Sequence, residues 1–145
     1  HVSDSVNKIL KDEEEENLHS LETWKKFAEK VSENKETLLS LLLELKSQNK
    51  KIVGISAPGR STTVLNYCNI TSEILDYVTE KSNLKIGKYT PGTHIEVVDD
   101  EKLIEEQPDY GLLLSWHLAD SIIPKIRKSG FKGKIIVGLP EPKIL

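Results

Sequence analysis

Three short runs carry apolar residues at successive positions rather than at alternate ones. They are Lys51–Ser56 (KIVGIS), Tyr110–Ser115 (YGLLLS) and Lys134–Leu139 (KIIVGL). A strand that is apolar on both faces must be covered on both faces, which is the situation of a parallel sheet with helices packed on each side. The stretches between these runs supply the rest. Thr62–Tyr67 reads as a short helix. Leu75–Thr79 reads as a second strand, and His94–Val98 alternates as a further short one. Asp99 and Asp100 suit the cap of a helix running to about Glu106 and ended by Pro108. Trp116–Lys128 reads as a helix ended by Gly130, and Pro140-Glu141-Pro142 stops the last strand. Strands alternating with helices predict an α/β fold, a Rossmann-like three-layer α/β/α domain with a mostly parallel sheet and right-handed crossovers.

Ahead of the first strand the period is helical. Leu21, Trp24, Phe27 and Val31 fall at three- and four-residue steps, and Leu38, Leu39, Leu42, Leu43 and Leu45 continue the pattern. Neither Pro nor Gly interrupts Leu18–Lys50. One long N-terminal helix is expected, or two with a break near Ser32-Glu33-Asn34. Trp24 and Phe27 suit core or interface anchors better than ligand contacts. Residues 1–17 read as an acidic linker or helix start, because Lys11-Asp12-Glu13-Glu14-Glu15-Glu16 has nothing to bury and repels itself. Residues 18–145 form the folded domain.

The formal net charge of -3 argues against broad nucleic-acid or anionic-membrane surfaces, though not against a local basic pocket. A single cysteine, Cys68, excludes an internal disulfide and a multi-cysteine metal site. No stretch reaches the apolar length of a membrane span, and a cytoplasmic location is expected. The chain opens on His1 rather than Met, and His1 and His19 carry no signal.

In sheets of this kind, ligands bind beyond the carboxyl ends of the strands, near the point where strand order reverses. The segment after the first strand, Ser56-Ala57-Pro58-Gly59-Arg60-Ser61-Thr62-Thr63, joins a tight turn to a hydroxyl-rich helix start. Unpaired N–H groups and the helix dipole favour an anion there, and Arg60 adds a full charge suited to phosphate. It is neither a P-loop nor a Gly-x-Gly-x-x-Gly fingerprint. The competing reading is a Pro-Gly turn that only joins strand to helix.

The other unusual segments also follow strands, and a parallel sheet is expected to bring them to one edge. Gly87–His94 (GKYTPGTH) joins a cation, an aromatic ring and a histidine in a Gly- and Pro-bearing frame. Lys85 and Lys88 suit phosphate charge, and His94 suits hydrogen-bond donation or proton transfer, or merely sits in a structured loop. Trp116 is placed either to stack on a ligand ring or to pack. The candidate substrate-binding residues are therefore Ser56, Gly59, Arg60, Ser61, Thr62, Lys88, Tyr89, His94 and Trp116. No catalytic pair and no metal site is evident.

Several of these segments together are familiar. Ser56–Ser61, Leu65-Asn66-Tyr67-Cys68, Gly87–Ile95, Pro108-Asp109-Tyr110 through Trp116, and Pro140-Glu141-Pro142 occur in an order that resembles the C-terminal domain of the SAM-dependent sugar C-methyltransferases. The similarity spans about Leu18–Leu145. Ser56 and Gly59 stand where members often carry Gly and Ala, His117 where Asn is common, and Glu80-Lys81 where an Asp-Arg pair is usual.

The resemblance implies a domain excised from a longer enzyme that methylates carbon in nucleotide-linked deoxysugars. A zinc-binding domain and a SAM-binding domain would precede it, so SAM and zinc are expected on those domains and no cofactor on this chain. Deprotonation beside a carbonyl and attack on the SAM methyl would belong to the central domain. This chain would help hold the nucleotide-sugar and would not methylate alone. Its partners would be the phosphate-bearing substrate and the upstream SAM domain, with no nucleic acid and no membrane. Two alternatives stand beside this: a stand-alone nucleotide- or CoA-binding module, and an interaction module working through the leucine-rich helix.

Overall fold

The computed structural model describes residues 3–145, so His1 lies outside the described residues. These residues divide into two compact units, one up to Glu33 and one from Asn34 to Leu145.

In the first unit, α1 (Asp4–Glu15) and the start of α2 (Leu21–Ser47) are joined by a turn. The acidic run lies within or beside α1, where Lys11 pairs with Glu15 one turn on, at 3.5 Å. The turn is held by side chains of the following helix. The Trp24 indole N–H donates to Leu18 O at 2.7 Å and the Thr23 hydroxyl to Asn17 O at 2.9 Å. Trp24 and Phe27 meet edge to face at 6.1 Å between ring centres. Both stay more than half exposed, so neither is a core residue here. α2 is one uninterrupted helix, with no break near Ser32–Asn34.

The second unit is the sheet domain. Among the described residues, six strands form one sheet: β1 (Ile52–Ile55), β2 (Val78–Glu80), β3 (Val97–Asp99), β4 (Tyr110–Leu113), β5 (Lys134–Val137) and β6 (Lys143–Ile144). The spatial order is β3-β2-β1-β4-β5-β6. The first five are mutually parallel, and β6 returns antiparallel on β5. This confirms the α/β Rossmann-like architecture. The β6 edge strand follows the Pro-Glu-Pro turn and was not legible in the sequence. The Asn34 amide anchors that turn, donating to Gly138 O and Pro140 O.

Successive side chains of a strand point to opposite faces, and the core divides accordingly. On one face, Ile52, Val78, Leu112 and Ile136 pack with Leu38, Leu42 and Leu45 of α2 and Leu65 of α3 (Ser61–Tyr67). On the other, Val53, Ile55, Leu113, Ile135 and Val137 pack with Leu103 of α4 (Glu101–Glu106), Ile122, Ile123 and Ile126 of α5 (Ala119–Lys128), and Phe131. Burial on both faces explains why β1 and β4 are apolar throughout. β2 begins later than expected, at Val78, because Asp76 and Tyr77 pair outside the regular ladder.

Candidate functional site: the strand switch between β1 and β4

β1 is the pivot of the sheet. The chain moves outward from it to β2 and β3, then crosses back to β4 and β5 on its other side. The carboxyl ends of β1 and β4 therefore flank the point where strand order reverses, the usual ligand crevice of such sheets. Their pairing extends past both strands, since Leu114 N–H donates to Ile55 O at 3.0 Å. Immediately beyond, the Ser56 and Ser115 hydroxyls are 2.6 Å apart. Ser56 has φ +64, a left-handed conformation costly for most residues with a Cβ.

The loop after Ser56 is built by its own hydroxyls. Ser61 is buried, and its Oγ donates to Pro58 O at 2.6 Å. Ser61 N–H also donates to Pro58 O, and Thr62 N–H to Gly59 O. Two backbone donors and one hydroxyl expected to meet an anion are thus spent on the turn. What the loop leaves available is the exposed Arg60 guanidinium, which has no ion pair or hydrogen bond within the described residues, and the N–H groups of Gly59 and Arg60. A Cβ on Gly59 would meet nothing within 4 Å, so packing does not demand glycine there.

Glu80, at the carboxyl end of β2, clamps this loop. Its Oε2 accepts from Ala57 N–H at 3.2 Å and from Lys85 Nζ at 2.9 Å, while Oε1 accepts from Lys81 N–H and Ser82 N–H. Lys85 Nζ also donates to Ala57 O at 2.9 Å. Burial works to raise the Glu80 pKa, but the Lys85 ammonium and the two N–H donors outweigh it and hold the carboxyl below its ordinary value. In dinucleotide-binding folds an acid at this strand end takes the ribose hydroxyls. Here the acid is committed to the loop, which speaks against a dinucleotide module.

The expected gathering of all the loops at one edge does not occur. Val97 pairs with Val78, and Val78 with Gly54. His94 is three residues before Val97, and Ser56 is two beyond Gly54. Five residue steps therefore separate the two, at most roughly 16 Å along the strand direction at the extended rise of about 3.3 Å per residue. The segment folds back as a hairpin, with Gly87 N–H on Val97 O, Val97 N–H on Lys88 O, and a bridge between Tyr89 and Glu96. Its turn is tied to the far end of α3, where the Asn66 amide donates to Pro91 O at 3.0 Å. Tyr89 and His94 do come together, with ring centres 5.8 Å apart, but on an exposed surface away from Arg60. Lys88 is exposed beside them, whereas Lys85 reaches the crevice. Strand alternation around His94 carried no register, so the sequence alone could not show this separation.

Trp116 follows Ser115 in a 3-10 turn (Trp116–Leu118) and packs, half-buried, against the core on the α5 side. On that side a cavity of about 400 Å³ opens next to Ser56, between α4 and α5. Ile55, Leu103, Ile104, Ile122 and Ile126 form its apolar walls, and Glu80, Lys81, Asp100 and Lys125 stand around it. Burial pushes the Asp100 carboxyl up, with Thr79 and Lys81 opposing. The Thr79 hydroxyl is fully buried. Its partner is the Asp100 carboxylate, whose rise on burial the Thr79 hydroxyl opposes by hydrogen bonding. Sequence reasoning missed Thr79, Glu80, Asp100 and Ser115 as members of this region. Among the described residues no group of three or more His, Cys, Asp or Glu is placed to hold a metal ion, and no helix is long and apolar enough to cross a membrane.

A mostly parallel sheet whose strand order reverses at β1 defines a Rossmann-like α/β domain. The chain belongs to the C-methyltransferase C-terminal domain family, whose pattern matches residues 1–140. It is also similar to the C-methyltransferase NovU of Streptomyces niveus, with 26% identity over 147 residues, covering 99% of this chain and 34% of that protein. The chain thus spans about a third of the length of this relative.

Proposed function

We propose that this chain is the substrate-holding domain of a SAM-dependent C-methyltransferase, and that it grips the phosphate-bearing part of a nucleotide-linked sugar at the β1–β4 crevice. The observation that carries the reading is Arg60. It is an unpaired guanidinium on the loop directly above the strand switch, and the Glu80–Lys85 clamp holds the base of that loop. A planar, permanently charged fork suits the non-bridging oxygens of a pyrophosphate, and the free N–H groups of Gly59 and Arg60 add donors to the same side. Ser61 and Thr62 support this site by shaping the turn. The methyl transfer itself falls to a SAM-binding domain of the same polypeptide, and the isolated chain is inactive.

Calorimetric titration with pyrophosphate-bearing nucleotides tests this reading. Arg60→Ala should weaken binding by about 1.5–3 kcal/mol, the range for a hydrogen bond to a charged group, and the loss should shrink at high salt. Unchanged affinity in Arg60→Ala would reduce the loop to a connecting turn. Tight SAM binding by the chain alone would overturn the division of labour.

A further inference from the structure

Helix α1 and the first half of α2 each carry an apolar stripe that nothing in their unit covers. On α1, Val6, Ile9 and Leu10 fall at three- and four-residue steps and are about half exposed. On α2, Leu21, Trp24, Phe27 and Val31 repeat the pattern, with Leu21 70% and Phe27 59% exposed. The two stripes therefore leave each other bare. Trp24 is nonetheless fixed in place. Its indole N–H donates to Leu18 O at 2.7 Å, and its ring meets Phe27 edge to face. An exposed aromatic pair that is already ordered gives up little entropy when a partner covers it, and Trp is among the residues that most often anchor protein interfaces.

The charges divide by helix face. On the back of each helix they pair internally, Lys11 with Glu15 and Lys26 with Glu22, each one turn apart. Beside the stripes they do not. Glu13 continues the α1 stripe one turn beyond Ile9 and Leu10, with Glu14 and Glu16 on its two sides. The charged residues nearest the α2 stripe are Lys25 on one side and Lys30 on the other. Among the described residues, none of Glu13, Glu14, Glu16, Lys25 and Lys30 has an ion-pair partner. So α1 presents an apolar stripe with an acidic end, and α2 presents an apolar stripe with a basic rim.

We propose that these stripes form an interface between two copies of the chain, in which α1 of one copy lies on the Leu21–Val31 stripe of the other, and the reverse. A second copy supplies the complement of both stripes at once. Its lysine-rimmed α2 suits the acidic α1, and its acidic α1 suits the lysine-rimmed α2. The pairing is self-complementary about a two-fold axis, so it closes at two copies and does not propagate. Trp24 and Phe27 of each copy form its centre. Glu14 and Glu16 meet Lys25 and Lys30 at the rim, where such pairs fix register and partner choice more than affinity. This interface makes no use of Arg60 or its loop, so it stands or falls apart from the phosphate reading.

Sedimentation equilibrium of the 145-residue chain over about 10–100 μM tests the pairing. Wild type should populate a monomer–dimer equilibrium with no larger species. Trp24→Glu should raise the dimer dissociation constant about thirtyfold or more, the effect of losing an interface anchor. Far-ultraviolet circular dichroism checks that this variant is folded. Lys25→Glu with Lys30→Glu should give a monomer, and so should Glu14→Lys with Glu16→Lys. Mixed in equal amounts, these two charge variants should dimerise with each other, because each supplies the charge that the other lacks. A wild-type chain that stays monomeric across the range overturns the proposal and leaves the stripes to a different kind of partner. A dimer that withstands Trp24→Glu has its contact elsewhere and overturns it too. A dimer that withstands Glu14→Lys with Glu16→Lys excludes α1 from the contact, and charge variants that stay monomeric when mixed exclude the α1-on-α2 arrangement.

Discussion

Ser56 and Ser115 are 59 positions apart in the chain, and their hydroxyls meet at 2.6 Å across the point where the sheet reverses its strand order. The contact joins the loop that carries Arg60 to the start of the turn that carries Trp116. It also holds Ser56 in a left-handed conformation, φ +64, at the mouth of the cavity. That conformation makes the position sensitive to side-chain shape. Ser56→Gly should be tolerated, because the backbone relief offsets the lost hydrogen bond. Ser56→Val should cost about 2 kcal/mol or more, since a β-branched residue is poorly accommodated at positive φ. Urea unfolding of the two variants decides the matter, and equal stabilities would contradict the strain argument.

Asn66 and Gly92 form a second constrained pair. A Cβ on Gly92 would fall 2.1 Å from Asn66 Oδ1, and Gly92 has φ +81. Gly92→Ala should therefore destabilise by about 1–2 kcal/mol from conformation alone, with the clash in addition. In a double-mutant cycle, Asn66→Ala should recover the clash and leave the conformational cost, giving clear non-additivity. Strict additivity would mean that Asn66 does not pin the hairpin.

The Glu80 clamp makes stability depend on pH with a definite sign. Its carboxyl is held below the ordinary carboxylate value by Lys85 and by the Lys81 and Ser82 N–H groups, against the opposing effect of burial. A depressed folded pKa contributes stability above the unfolded value, about 4.3, and that contribution is lost as pH falls through the lower folded value. Glu80→Gln should cost about 1.5–3 kcal/mol at pH 7. The gap from wild type should narrow below about pH 4. Denaturation midpoints across that range provide the check, and a gap independent of pH would mean that charge is not what holds the clamp.

The hairpin before β3 is not uniformly mobile. Gly87, Thr90, Ile95 and Val97 N–H groups all have partners, and the Thr90 and Thr93 hydroxyls pair at 2.7 Å in a buried position. Hydrogen exchange should show protection at Thr90 and Ile95, below that of Ile135–Val137 in the core and above that of Ser82–Leu84. Uniformly fast exchange from Lys85 to His94 would show that the hairpin opens as a unit.

The local pattern determined a good deal. Runs apolar at successive positions required strands covered on both faces, and β1, β4 and β5 are such strands. Helical spacing placed α2 and α3, and the turn residues around Pro58, Pro108 and Gly130 marked element ends. The segments from Ser56 to Pro142 carried the family, and its profile matches most of the chain. All of these are properties of neighbouring residues, which a linear pattern records directly.

What only the tertiary structure decided was which distant residues meet. Period-2 alternation says that a residue faces one side of a sheet, but it is silent on register. His94 therefore looked like part of one converging edge and instead lies at the other end of the β3 pairing. Ser61 and Thr62 looked like free donors, but their N–H groups close the turn that presents Arg60. Asp100 looked like a helix cap, and Glu80 carried no structural role. Strand order brings Glu80 under Ala57 and sets Asp100 beside the buried Thr79 hydroxyl. Those contacts depend on long-range pairing, whose energy is shared across the whole sheet and leaves no signature in any single stretch of the chain.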